Sequence, residues 1–220
     1  MGTVPIDADD LAALLPELDE APGPSLSGGA TSDGLRFAGL VLTGDATEAR
    51  FLECELVDCD LGDVVFDRAR LSTCRLADVR ATALSAVDGQ WLDVVVTGSR
   101  FGALTAHGAG LTRVLLAEVK ADFLDLRGGT LSDVELRGCT LGELDLTGAS
   151  LRDVVLRDCT VESLVLAGSH NRAVDLSGAE VARLDEVAGL PGCTISEAQL
   201  GAWAPGLAAH LGIRVGQNSR

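Results

Sequence analysis

Histidines, cysteines and carboxylates are the side chains of this 220-residue chain that could do chemistry, and their spacing decides whether they do. The three histidines, His107, His170 and His210, have no cysteine or carboxylate at a ligand spacing, so no metal site is expected. The six cysteines form no CxxC pair. Cys54 with Cys74, and Cys139 with Cys159, lie 20 residues apart. No phosphate-cradling glycine loop and no Ser-His-Asp arrangement occurs, so neither catalysis nor a cofactor is expected. The carboxylates are another matter: 33 acids face 17 bases, a net charge of -16. Two rows of them recur at multiples of 20 residues. One holds Glu53, Asp93, Asp133 and Asp153, interrupted by Thr73 and Arg113. The other holds Asp58, Asp78, Glu118 and Asp158. Ordered negative charge does electrostatic chemistry: it draws a basic partner and argues against direct nucleic-acid binding. The plainer reading is a solvated face that keeps the protein soluble.

Positioning such rows requires a repeat of the same period. Every fifth residue from Phe51 to Val181 is apolar except Asn171. Two residues before each lies a smaller series of Ala, Cys, Val and Leu, relieved by Gly89, Ser99, Gly129 and Ser169. Helices need a period of 3.6 and strands a period of 2, so a strict period of five is neither. A longer period overlies it. Cys54, Cys74, Val94, Val114, Val134, Val154 and Val174 form one column, and Val64, Leu84, Leu104, Leu124, Leu144, Leu164 and Leu184 another. Four five-residue units therefore make one coil with four distinct sides. Leu56, Leu76, Val96, Leu116, Leu136, Leu156 and Leu176 are expected to stack in one inward column. Gly108, Gly128, Gly148 and Gly168 mark a corner suited to positive φ. Phe37 and Leu42 are one residue out of phase, which places a slip near Thr43 to Glu48, either a bulged corner or a loop.

Units such as CELVD (54–58), CRLAD (74–78), VELRG (134–138), LDLTG (144–148) and ASLRD (149–153) resemble the pentapeptide-repeat family. The resemblance runs from Phe37 to about Leu184. It implies an all-β solenoid, a right-handed quadrilateral β-helix, here with short helical N- and C-terminal segments. The best-understood members protect DNA gyrase and topoisomerase IV from quinolones as acidic, DNA-sized rods, and join in pairs through C-terminal helices. The tail SEAQLGAWAPGLAAHLGI (196–213) is similar to that of one actinobacterial branch of those proteins. The resemblance thus implies a non-enzymatic DNA mimic that modulates gyrase or topoisomerase, with the eight acids above as partner-binding residues. A scaffold with an unrelated protein partner is the alternative.

Charge density limits mimicry. Residues 37–184 hold 23 acids and 14 bases, a net of nine negative charges. Their roughly 35 Å of rod would need about 20 to match duplex DNA at one charge per about 1.7 Å. Leu92, Val95 and Leu115 are expected to form an outward apolar ledge that suits a protein partner.

Four segments follow. Residues 1–20 are an acidic helical segment with apolar Leu11, Leu14, Leu15 and Leu18, broken by Pro16; 21–34, rich in Gly, Pro and Ser, is a linker. Residues 35–184 are the β-helix, and 185–220 cap and dimerise it. In that last segment Ser196 and Gln199 form a capping box, and Leu200, Trp203, Leu207 and Leu211 offer a dimer contact, with Pro205 expected to kink or divide the helix. With no signal sequence and no transmembrane run, a cytoplasmic protein with reduced thiols is expected, without membrane contact.

Overall fold

Two inward positions in every five residues commit the chain to turn at short, regular intervals. The computed structural model, which describes residues 6–62 and 64–215, is a parallel β-solenoid of about nine turns. Gln90 lies beside Arg70 and Gly110, Val96 beside Leu76 and Leu116, and Leu104 beside Leu84 and Leu124, always in parallel and 20 residues apart. We number the sides by their central inward residues: Trp91 lies on the first, Val96 on the second, Phe101 on the third and Ala106 on the fourth. All four of these are buried.

The expected inward column is present. Leu56, Leu76, Val96, Leu116, Leu136 and Leu156 are successive register partners. Above Leu156 the ladder bulges: Val155 pairs with Asp175 but Arg157 with Gly178, and Leu176 stays buried. Near the N-terminal end the core widens to take rings, with Phe51 centred 6.3 Å from Phe37 and 5.5 Å from Phe66. The small inward serine is satisfied in place. Ser99 Oγ donates to the Thr97 carbonyl at 2.9 Å and accepts from the Val79 amide at 3.2 Å.

The slip sits where Val41 pairs with Asp60, 19 residues on, but Asp45 pairs with Val65, 20 residues on. Thr43–Gly44 within it pairs with Ser25–Leu26, so it is a corner of the coil and not a loop. That pairing also corrects the linker. Ser25–Leu26 and Thr31–Asp33 are strands, the second paired with Arg50–Leu52, and Asp19–Glu20 pairs with Leu35–Arg36. Residues 21–34 are part of the first turn. Turn-forming composition misled because a corner every five residues has the composition of a loop.

Helix α1 (Ala8–Leu14) stops two residues before Pro16, as the missing N–H there requires. It lies on the second side, where Leu11 is fully buried against Val95 and Leu115. Asp7 pairs with Arg137 at 3.8 Å beside it. The expected ledge is therefore covered by the chain itself, and Leu92, on the first side, is the part left open, at 40% exposure. Helix α2 (Glu197–His210) closes the other end. Pro205 does not divide it, because the carbonyl it orphans belongs to the exposed Gly201, where water can satisfy it. No helix among the described residues is long and apolar enough to cross a membrane.

Candidate functional site

The acidic rows are corners. Glu53, Asp93, Asp133 and Asp153 turn between the first and second sides, with φ between 53° and 57°. Asp58, Asp78, Glu118 and Asp158 turn between the second and third, with φ between 50° and 55°. Non-glycine residues seldom enter this left-handed region, and aspartate enters it more readily than most. Gly98 and Gly138 occupy the same column as Asp78 and Glu118, at φ 60° and 62°. Part of the acid periodicity therefore has a backbone cause. Alternation of Gly with Asp or Glu down one column, from Asp78 to Asp158, was the sequence signal for it.

The eight acids are not equivalent. Glu53, Asp78, Glu118 and Asp158 are exposed, and Asp153 is half-buried. Asp58 is exposed and accepts from Arg80 Nη2 at 3.1 Å. Asp93 is held by Arg113 Nε and Nη2, both at 2.6 Å, which raises the guanidinium above its ordinary pKa. Asp133 is 5% exposed and accepts from the Ser132 hydroxyl at 2.9 Å, while Arg152 donates to that same hydroxyl. Asp133 thus faces its own surroundings, a correction to its expected partner-binding role. The row from Asp58 to Asp158 is edged by Arg80, Arg100 and Lys120, stacked as register partners on the third side. The acids lie along two corners, the second with a basic margin, and not as an unbroken negative face.

A tighter charged cluster escaped the sequence reading. On the fourth side Asp125, 1% exposed, accepts from the Arg127 amide and from its Nε and Nη2 at 3.1, 2.9 and 2.7 Å, and Asp145 lies 3.6 Å from the same guanidinium. Burial opposes ionisation of Asp125, and the Arg127 bonds overcome it, leaving its pKa below the ordinary value. Asp125 and Asp145 stand one coil apart, so the same 20-residue period carried the signal.

Among the described residues no three His, Cys, Asp or Glu side chains gather to hold a metal ion. All six cysteines are free thiols. Cys74 and Cys159 donate to the carbonyls of Phe51 and Leu136, both at 3.3 Å. The neighbouring sulfur and burial push the Cys74 and Cys139 thiols up, and burial pushes Cys193 up to about 11. Thiolate is the reactive form. Because the other five thiols are buried and Cys193 is partly exposed, folded protein at pH 8 is expected to react with a disulfide reagent at Cys193 alone, about 100-fold slower than a free thiol, and at all six after denaturation. Prompt titration of two or more thiols in the native protein would contradict this.

At the C-terminal end the capping box is complete, with Gln199 N donating to Ser196 Oγ at 3.2 Å and Ser196 N to Gln199 Oε1 at 2.8 Å. Gln199 does more than its sequence position suggested. Its Nε2 donates to the carbonyls of Leu176 and Ala179, both at 2.8 Å, and so covers the open edge of the last coil. Trp203 is buried against the rod and Leu207 half-buried, which leaves Leu200 and Leu211 of the expected dimer stripe exposed. Between α2 and the third side runs a groove floored by Val161, Val181 and Ala182, walled by Ala198 and Ala202, with Glu162 and Glu180 at its rim.

Residues 130–162 match the family model of pentapeptide repeats, in eight copies. The fold is that of a pentapeptide-repeat β-helix. Solved structures similar to this chain include the full-length plasmid-mediated fluoroquinolone resistance protein QnrB1, at 16% identity over 89% of this chain and 100% of that one, with a TM-score of 0.34. HetL, a pentapeptide repeat protein involved in heterocyst differentiation regulation from the cyanobacterium Nostoc sp. strain PCC 7120, is 18% identical over 76% of this chain and 90% of that one, with a TM-score of 0.28. No curated protein matches the chain.

Proposed function

We propose that this protein is a non-catalytic, cytosolic binding rod that meets a basic protein surface along the corner between its second and third sides. The observation that carries this is the line Asp78, Glu118 and Asp158, exposed and without an ion pair among the described residues. Two coils separate neighbours in that line, a spacing of about 10 Å. The partner we infer is DNA gyrase or topoisomerase IV, a protein built to hold an acidic duplex. Support comes from the net charge of -16 and from the resemblance of the repeats and tail to gyrase-protecting members. Mimicry of this kind is confined to one corner, because Arg80, Arg100 and Lys120 stand beside it.

The test is a supercoiling assay with the host's own gyrase, with and without a quinolone. Micromolar protein is expected to relieve the drug's effect at low salt and to lose that ability as salt screens the contact. Asp78→Asn with Asp158→Asn is expected to weaken the effect about tenfold with an unchanged unfolding midpoint. Neither protection nor inhibition at micromolar protein would leave the second reading, a scaffold for an unrelated partner. The mixed charge of the corner favours that reading, since a partner with both signs fits it better than one built for a uniform polyanion.

A further inference from the structure

Helix α2 does not sit flush on the third side. Gln199 ties it to the carbonyls of Leu176 and Ala179, at the corner between the second and third sides, and Trp203 is buried against the rod. Ala198 and Ala202, one helical turn apart and toward the third side, are too small to fill the gap that remains. A groove of about 650 Å³ is left over the last two coils, a size within the range of ligand pockets. Val181, half-buried, and Ala182, exposed, form its apolar base.

The groove opens at the end of the acidic corner. Arg157 and Cys159 are register partners of Gly178 and Ala179, so Asp158 lies one coil below residues that line the groove. Glu162 and Glu180 stand at its rim and Glu197 beside Ala198, all three exposed and without an ion pair among the described residues. No Lys or Arg lines the groove among the described residues, and Arg183, farther along this side, is paired with Asp185 at 3.4 Å. The basic margin that tempers the corner lower down ends at Lys120, beyond which the same column runs Thr140, Thr160 and Glu180. An apolar base ringed by unpaired carboxylates fits an aliphatic group with cations beside it. From Asp158 the exposed acids continue four coils down to Asp78, about 20 Å, which is farther than a small amine spans.

We propose that the groove under α2 anchors the partner of the acidic corner, and that its occupant is a leucine-sized aliphatic side chain flanked by Lys or Arg on a partner protein. The carboxylates steer the basic segment in, and burial of the aliphatic side chain supplies the part of the affinity that salt does not screen. This rests on the reading of the corner as a binding face. It adds what that face selects, since a basic segment without the aliphatic anchor is held by exposed charges alone.

Calorimetric titration of the full chain with the capped peptide Lys-Arg-Leu-Leu-Arg-Lys tests it, against the same peptide with glycine for both leucines and against n-octylammonium. The leucine peptide is expected to bind at least about tenfold tighter than the glycine peptide. Ala202→Phe, which fills the groove, is expected to erase that difference. Glu162→Gln with Glu180→Gln is expected to weaken both peptides alike and to keep it. Fluorescence of Trp203 checks that α2 stays docked in each variant, and the peptide comparison on the unaltered chain stands whether or not it does. Equal affinity of the two peptides overturns the proposal, as does a difference that survives Ala202→Phe with α2 docked. Octylammonium binding as tightly as the leucine peptide also overturns it, by assigning the groove to a small amine. In the supercoiling assay, full protection by Ala202→Phe but not by Asp78→Asn with Asp158→Asn overturns the anchor and keeps the corner. The expected peptide binding, with no protection by the unaltered chain, supports the anchor and removes gyrase as the partner.

Discussion

Leu136→Asp is expected to unfold the middle of the rod, whereas Asp153→Asn, in the next coil at an outer corner whose left-handed backbone asparagine also tolerates, is expected to move stability by under about 0.5 kcal/mol. Leu136 is 1% exposed and sits between Leu116 and Leu156 in the inward column. A carboxylate there finds no cation and no donor, and burying it costs about 4 kcal/mol or more. Position in a one-dimensional stack magnifies the loss. Each coil is stabilised by its two neighbours alone, so a failed coil removes two interfaces and leaves two open ends. The ends then expose the edges that a solenoid otherwise covers. Denaturant unfolding followed by circular dichroism should show Leu136→Asp without a cooperative transition and Asp153→Asn with the midpoint of the unaltered chain. Equal midpoints would mean that the inward and outward assignments are wrong.

Periodicity made the core legible because only one arrangement places residues five apart on one axis and residues 20 apart on one side. The inward column from Leu56 to Leu156 needed nothing beyond that. The outward residues were less legible, for a physical reason. An outward Asp at a corner satisfies two demands at once, a left-handed backbone and a soluble surface, and composition does not separate them. Asp133 shows the cost: its periodicity matched that of the exposed Glu53 in the same row, yet it is buried beside Ser132. The ledge of Val95 and Leu115 failed differently. Its outward, apolar character was correct, but its occupant, Leu11, lies over 80 residues away in sequence and carries no repeat signal. Gln199 lay in plain view as a capping-box residue, and its reach to Leu176 and Ala179 depends on where α2 docks, which no local pattern encodes.

The second large effect is expected at the C-terminal closure, where Gly189→Val should detach α2 from the rod. Gly189 is buried, and a side chain there would run into the Leu166 carbonyl and come within 2.6 Å of the Leu166 Cβ. Neither neighbour is a flexible tip that could move aside. Gly189 also holds the one polar residue of the inward series, since Asn171 Nδ2 donates to the carbonyls of Gly189 at 2.6 Å and Pro191 at 3.1 Å. Displacing the turn Val187–Gly189 breaks that clamp and removes the ledge on which α2 rests. Overpacking together with a lost part-buried hydrogen bond is worth about 3 kcal/mol. Because stability is a sum of neighbour terms, the damage should stay near the end. Hydrogen exchange should show residues 197–210 losing protection while residues 110–150 keep theirs, and fluorescence should report Trp203 entering water. Gly201→Ala is the matched control. It lies exposed on α2 with nothing within 4 Å of its added methyl group, so it should stabilise the helix by up to about 1 kcal/mol. If Gly189→Val and Gly201→Ala leave α2 equally protected, the helix is not what closes this end of the solenoid.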